Sequence, residues 1–188
     1  LAPAAHGGNR TGRVFTGDRS GDFLYAALYR AGLANQPTSV SMDDGLRLGG
    51  VYISAAVRCA PPDNKPLPEE YDRCRPYLAA DLRLLRQVRV IFALGKIAFD
   101  NALRVLVDAG ATLASPRPVF GHARAYEVGQ YRLVSSYHPS QRNTQTGLLT
   151  PAMMDAALAL AKEDLPDATS NSPDRSTISK THSRRATP

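Results

Sequence analysis

Residues 88–108 constrain the fold of this chain more than any other stretch. Val88-Arg89-Val90-Ile91-Phe92-Ala93-Leu94 is a short, mostly apolar run rich in β-branched and aromatic side chains, and Gly95 interrupts it. From about Lys96 to Asp108 the apolar residues recur at helical spacing, and a glycine again closes the element. A run of seven bounded by glycine reads as a buried strand, and the longer periodic segment after it reads as a helix. Strand, glycine turn and helix together make the repeating unit of an α/β sheet.

The same alternation recurs along the chain. A helix from about Gly21 to Ala31 is expected, with Ser20 as its N-cap and Gly32 as its stop. Leu48 to Val57, rich in Val, Ile and Tyr, reads as a buried strand, and residues 59–68 form a loop holding four prolines. Pro68-Glu69-Glu70 opens a helix of about four turns, with proline and acids favourably placed in its first turn. A short strand near Ala123 to Val128 precedes a second, Tyr131 to Val134. Thr150 caps a last helix that has Pro151 in its first turn and runs to about Glu163. The pattern predicts an α/β sandwich with a mostly parallel sheet. No internal repeat is visible.

The length of 188 residues fits one domain with a tail. Residues 1–164 form the domain; residues 165–188 are Ser/Thr/Pro/Arg-rich, nearly free of large apolar groups, and read as disordered. The tail carries Arg175, Lys180, Arg184 and Arg185 against Asp167 and Asp174, so it supplies +2 of the net charge of +6. The remaining surplus suits a polyanionic partner and equally a mildly basic soluble protein. No apolar run approaches the roughly 18 residues of a membrane span. No signal peptide is visible at Leu1-Ala2-Pro3-Ala4, so a cytosolic address is the default. Cys59 and Cys74 are the only cysteines. A disulfide is not expected in the cytosol, and two thiolates cannot complete a zinc or iron–sulfur site, so alone they read as unrelated thiols.

Three polar loops carry the chemistry. The first, Leu1 to Asp18, is glycine-rich and permits close backbone approach to a ligand; Phe15 lies among polar and glycine residues, where a platform for a flat ligand would suit it, and Asp18 is the loop's one acid. It reads equally as a capped surface turn with one buried phenylalanine. The second loop, Arg58 to Pro66, follows the strand expected at Leu48 to Val57, and its prolines stiffen the chain around Asn64. An asparagine amide offers a donor and an acceptor that match one edge of a nucleobase, although a turn asparagine has the same appearance. The third loop, Ser136 to Gly147, puts His138 where a strand ends. Ligands in open α/β sheets bind outside the carboxyl ends of strands, and a neutral imidazole there can donate to a developing anion. A histidine that merely caps local backbone is the plainer alternative.

Taken in order, residues 1–18, 55–66, 93–98 (Ala-Leu-Gly-Lys-Ile-Ala) and 136–147 resemble the uracil-DNA glycosylase superfamily, and most closely its type B (family 5) enzymes. The resemblance spans roughly residues 1 to 163. It implies a three-layer α/β/α sandwich around a central, mostly parallel four-stranded sheet, and a [4Fe–4S] cluster held by four cysteines. Cys59 and Cys74 match the second cysteine pair. The first pair, the first strand and the glycine before Leu1 would belong to an amino-terminal segment that this chain lacks.

The resemblance also implies roles. Phe15 would stack on an extruded uracil, Asn64 would read its Watson–Crick edge, and His138 would face its O2. Asp18 would position or activate water. Ala5 and His6 lie where other branches of the superfamily place a water-activating acid or amide. Ala4, Gly7 and Asn9 would complete the pocket. Ser140, Arg142, Asn143, Gly147 and Leu148 would contact DNA, with Leu148 at a position where relatives commonly carry arginine. The implied partner is double-stranded DNA containing uracil or another deaminated base such as hypoxanthine, flipped out of the helix before its N-glycosidic bond is hydrolysed. No lysine of these motifs is read as forming a Schiff base, so a monofunctional glycosylase without lyase activity is expected. The protein is expected to be a monomer with no membrane attachment, acting in the bacterial cytoplasm at the nucleoid. Two other classes stay open: a DNA-binding protein on the same fold that releases no base, and an iron–sulfur electron carrier, against which the two cysteines argue. The three histidines outside the tail show no metal-ligand spacing.

Overall fold

The computed structural model describes residues 2–3, 6–62 and 65–163. The elements run, in order, α1 (Gly8–Thr11), α2 (Arg19–Arg30), α3 (Pro68–Leu84), β1 (Val90–Leu94), α4 (Lys96–Asp108), β2 (Arg124–Val128), β3 (Tyr131–Ser136), α5 (Gln141–Gln145) and α6 (Pro151–Lys162). The expected disordered tail lies outside the described residues.

The sheet has three strands in the order β1-β3-β2. β1 pairs parallel with β3, Val90 opposite Arg132 and Leu94 opposite Ser136. β2 pairs antiparallel with β3, Arg124 opposite Ser135 and Val128 opposite Tyr131. The sheet is therefore mixed, where a mostly parallel four-stranded one was expected. The expected strand from Leu48 to Val57 does not form a ladder: Leu48 makes one isolated antiparallel bridge to Ala34, and residues 51–55 run without sheet pairing. β1 consequently has a strand neighbour on one side among the described residues.

Side chains of β1 alternate between two cores, as the pleat requires. Phe92 and Leu94 pack against the cluster built from Leu24, Tyr25, Ala27 and Leu28 of α2 with Met154 and Leu158 of α6. Ile91 and Ala93 join the cluster built from Phe99, Ala102, Leu103 and Leu106 of α4 with Val128 and Leu133. Helices thus cover both faces of the sheet, giving the three layers expected. Each fully buried leucine or phenylalanine contributes about 1.5–3 kcal/mol.

The helix ends follow from particular residues. α2 begins two residues earlier than the Ser20 cap predicts: Asp18 is the N-cap, and its Oδ1 accepts from Gly21 N at 2.9 Å. Glu70 reaches back to accept from Leu67 N at 2.7 Å at the start of α3. Thr150 caps α6, accepting from Met153 N at 3.3 Å, with Pro151 at its first position. At its far end Lys162 Nζ donates to Ala31 O at 2.7 Å, tying α6 to the close of α2.

Candidate active site

The carboxyl ends of β1 and β3 lie side by side, and Gly95 N donates to Ser136 O at 2.8 Å. Two loops leave this point: one turns at once into α4, and the other carries His138. Gly95 has φ +89° and is the N-cap of α4; a Cβ there would come within 3.1 Å of His138 Cβ. The glycine read as a strand-to-helix switch is thus also what lets His138 stand beside the sheet.

His138 is fixed from both sides. Asn143 Nδ2 donates to His138 O at 2.8 Å, and Ser140 caps α5 by accepting from Asn143 N at 3.4 Å. On the strand side, Tyr137 N donates to His122 Nδ1 at 3.4 Å, and the His122 and Tyr137 rings stack with centroids 5.0 Å apart. Burial pushes the His122 pKa down, which favours the neutral ring that accepts this bond. Burial also pushes the His138 pKa down to about 4, so at neutral pH its imidazole is uncharged and keeps one N–H to donate.

Opposite the histidine stands Phe15, its ring centroid 5.7 Å from that of His138 and tilted by 33°. Phe15 is partly buried and packs against the α2–α6 core, so it is more than a surface residue, while still forming a wall of the site. Its φ of +58° puts a non-glycine residue in the left-handed region, a conformation that costs of order 1–3 kcal/mol and persists only where the surroundings hold it. The holding is visible. Gly21 lies directly under the Phe15 carbonyl, where a Cβ would sit 1.7 Å from the oxygen. Tyr25 Oη donates to Val14 O at 3.0 Å, and Thr16 Oγ1 shares a 2.6 Å hydrogen bond with Ser39 Oγ.

Phe15, Asp18 and His138 line one cavity of about 70 Å3, together with Ala2, Pro3, Val14, Ser20, Ser54 and Ala55. Asp18 divides its carboxylate. Oδ1 caps α2, and Oδ2 lies against Gly7, where a Cβ would come within 2.2 Å of it. Three of the expected residues are therefore brought together. His6 and Asn9 are exposed and do not line the cavity, and the His6 carbonyl accepts from Arg10 Nε at 3.1 Å. Ala4, Ala5 and Asn64 lie outside the described residues. Ser54 and Ala55 are additions: they sit in the run read as a buried strand, and the Ser54 hydroxyl, which donates to Asp81 Oδ2 at 2.7 Å, has no signature in the sequence. Lys65 and Lys96 fall inside the motif segments, but neither lines the cavity, and Lys96 pairs with Asp100.

Beyond His138, Arg142 is exposed on α5 and Leu148 is 48% exposed, while Leu149 is buried in the α2–α6 core. Gly147 takes φ +73° between α5 and this leucine pair. Leu149 thus anchors the loop and Leu148 projects from it. A larger cleft of about 250 Å3 lies between α3 and α4 and shares no residue with the strand-end cavity; its Arg75 and Arg104 are engaged by Asp72 and Asp108.

Cys59 is exposed and Cys74 is partly buried on α3, and both thiols are free. Among the described residues no group of three or more His, Cys, Asp or Glu is placed to hold a metal. A four-thiolate iron–sulfur cluster needs twice the cysteines this chain contains, so these residues alone do not fit it. No described helix is long and apolar enough to cross a membrane.

A family model described as the uracil DNA glycosylase superfamily matches residues 1–162. A type-5 uracil-DNA glycosylase of Mycobacterium bovis is 55% identical over 165 residues, covering 87% of this chain and 60% of the relative. The Mycobacterium leprae type-5 enzyme is 50% identical, covering 87% of this chain and 70% of the relative. That of Thermus thermophilus is 51% identical, covering 86% of this chain and 72% of the relative. The chain spans about 60% of the length of the mycobacterial relatives that match it at 55% identity.

Proposed function

Because the chain belongs to the uracil-DNA glycosylase superfamily, we propose that the protein hydrolyses the N-glycosidic bond between uracil and deoxyribose in DNA. The observation that carries this reading is the pairing of Phe15 and His138 across one small cavity with Asp18 at its edge. A flat base stacked on the Phe15 face turns an edge toward the neighbouring His138 imidazole. As the bond breaks, negative charge develops on the uracil. A neutral His138 donates to it without demanding a counter-ion, an effect worth roughly 3 kcal/mol if it matches one oxyanion-hole donor. Asp18 Oδ2, the oxygen not used as a cap, positions the attacking water and steadies the sugar as it becomes cationic. Asn64 reads the Watson–Crick edge of the base. Gly7, packed against the Asp18 carboxylate, holds that side chain in place, and the segment around Ala4, Ala5, His6 and Asn9 closes over the base once DNA is bound.

The substrate is duplex DNA from which the base is flipped, since its glycosidic bond cannot be reached inside the stack. Hypoxanthine and other deaminated bases are further substrates. Among the described residues no lysine lines the cavity, and the reaction we propose is simple hydrolysis without a Schiff base or lyase step. Ser140, Arg142, Asn143, Gly147 and Leu148 face the DNA, with Leu148 as an apolar wedge in the opened minor groove. The protein acts as a monomer at the nucleoid.

In a longer chain, Cys59 and Cys74 would be two of the four ligands of a [4Fe–4S] cluster, and a further strand would extend the sheet to four. Iron and acid-labile sulfide in the purified longer protein, lost on Cys74→Ser, is the expected result. The deciding experiment for the activity is release of a labelled base from a duplex holding a single U opposite G. It is run on this chain and on a version extended upstream. Release that depends on His138 supports the reading. Tight binding of the uracil duplex by both versions with no release would replace it with a damage-binding role.

A further inference from the structure

Around Phe15 lies a set of buried and half-buried polar side chains that the proposed chemistry leaves unused. Arg13 donates to Ser39 Oγ at 3.0 Å, to Asp44 Oδ1 at 2.8 Å and to Met42 O at 2.7 Å. Asp44 also accepts from the backbone N–H groups of Val40 at 2.6 Å, Ser41 at 3.3 Å and Leu46 at 3.0 Å. The Arg13 guanidinium, with these N–H groups, holds the Asp44 carboxyl well below the usual carboxylate range. Ser39 in turn bonds Thr16, and both side chains are fully enclosed. Neither Arg13, Ser39 nor Asp44 touches the cavity.

We propose that Arg13, Ser39 and Asp44 are positioning residues, a clasp that locks Phe15 in its left-handed conformation and so sets how firmly the site grips a flat base. The 39–46 segment has no regular structure and leaves Val40 and Met42 largely exposed, with Leu46 as its apolar contact to the core. What it does make is a set of charge-assisted and buried hydrogen bonds, and they close on Arg13 and Thr16, two residues before Phe15 and one after it. A stacking platform gives affinity in proportion to how little freedom it loses on binding. With the clasp intact, Phe15 is ordered before the base arrives. With it open, the strained φ relaxes and the ring must be re-ordered at each binding event.

The inference rests on the reading of Phe15 as the base-stacking residue. It is tested in the full-length protein with Asp44→Asn and, as the milder change, Ser39→Ala. We expect Asp44→Asn to raise KM for a uracil duplex and the inhibition constant for free uracil by about tenfold, with kcat changed less than about threefold, the pattern of lost ground-state binding. In a Phe15→Ala background the same change adds nothing further, because its effect passes through that ring. Equal losses in both backgrounds, or an unaltered KM in a folded Asp44→Asn variant, would overturn the clasp. Should Asp44→Asn fail to fold, Ser39→Ala carries the same readouts. A separate arm needs no turnover: the Phe15 ring shifts the His138 imidazole proton resonances, and that shift collapses in the clasp variants while the rest of the spectrum is kept. An intact shift refutes the clasp. A wild-type protein that releases no base instead refutes the glycosylase reading and leaves the spectroscopic arm to decide the clasp.

Discussion

Asp18 serves folding and chemistry with different atoms, and that division can be separated by substitution. Its Oδ1 caps α2, while Oδ2 is free of the cap and lies against Gly7, in a residue that lines the cavity. Asparagine caps a helix about as well as aspartate, whereas alanine forfeits about 1 kcal/mol. Asp18→Asn should therefore keep the melting temperature and lose most base release, while Asp18→Ala should lose both; a thermal melt beside a release assay checks this. His138 gives the matching pH prediction. Its folded pKa of about 4 lies below the unfolded value of 6.5, so the unfolded chain binds the extra proton first. Stability is full above about pH 6.5, falls as the pH drops toward 4, and the total loss approaches about 3 kcal/mol. Denaturant titrations across that window should show a steeper slope in wild type than in His138→Gln, which keeps the part supplied by the likewise depressed His122. At this scale Phe15, Asp18 and His138 were legible because each stands out chemically in a polar loop. The Thr16–Ser39 pair was not, since two hydroxyls that are 23 residues apart have no pattern until the fold joins them.

Among the elements, those with punctuation were readable. α4 occupies Lys96–Asp108 as predicted, because Gly95 and Gly110 bracket a clean apolar period. α6 was equally plain from Thr150 and Pro151. α1 and α5, of four and five residues, are too short for periodicity and hide in glycine-rich or polar loops. The 48–57 run failed for another reason: its Val, Ile and Tyr content carries β-propensity, but a strand exists only through a partner, and Tyr52 there is 56% exposed. The connection from α5 to α6 offers a test at this scale. Leu148 projects from a loop anchored by the buried Leu149, so Leu148→Arg changes the surface charge without disturbing the core. It should tighten duplex binding and steepen its salt dependence by about one unit in log–log slope. A binding isotherm series in rising salt with unchanged slope would show that the loop does not meet the phosphates.

On the scale of the whole molecule, the α/β class and the helices on both faces followed from alternation of short apolar runs with periodic segments. The strand count and directions did not, because register and order depend on partners that no local pattern names. The open flank of β1 has its own consequence. Among the described residues its Val-Ile-Phe-Ala-Leu backbone is paired along one side, so every second amide in it has no partner strand to shield it. Deuterium uptake should therefore divide β1 by parity: amides facing β3 protected for about as long as the helices that flank them, and those facing outward exchanging early, although they belong to the same five residues. If an upstream segment covers that flank in a longer protein, the alternation disappears and all five exchange as one block. The stagger in those lifetimes is then a direct gauge of whether the sheet has been completed.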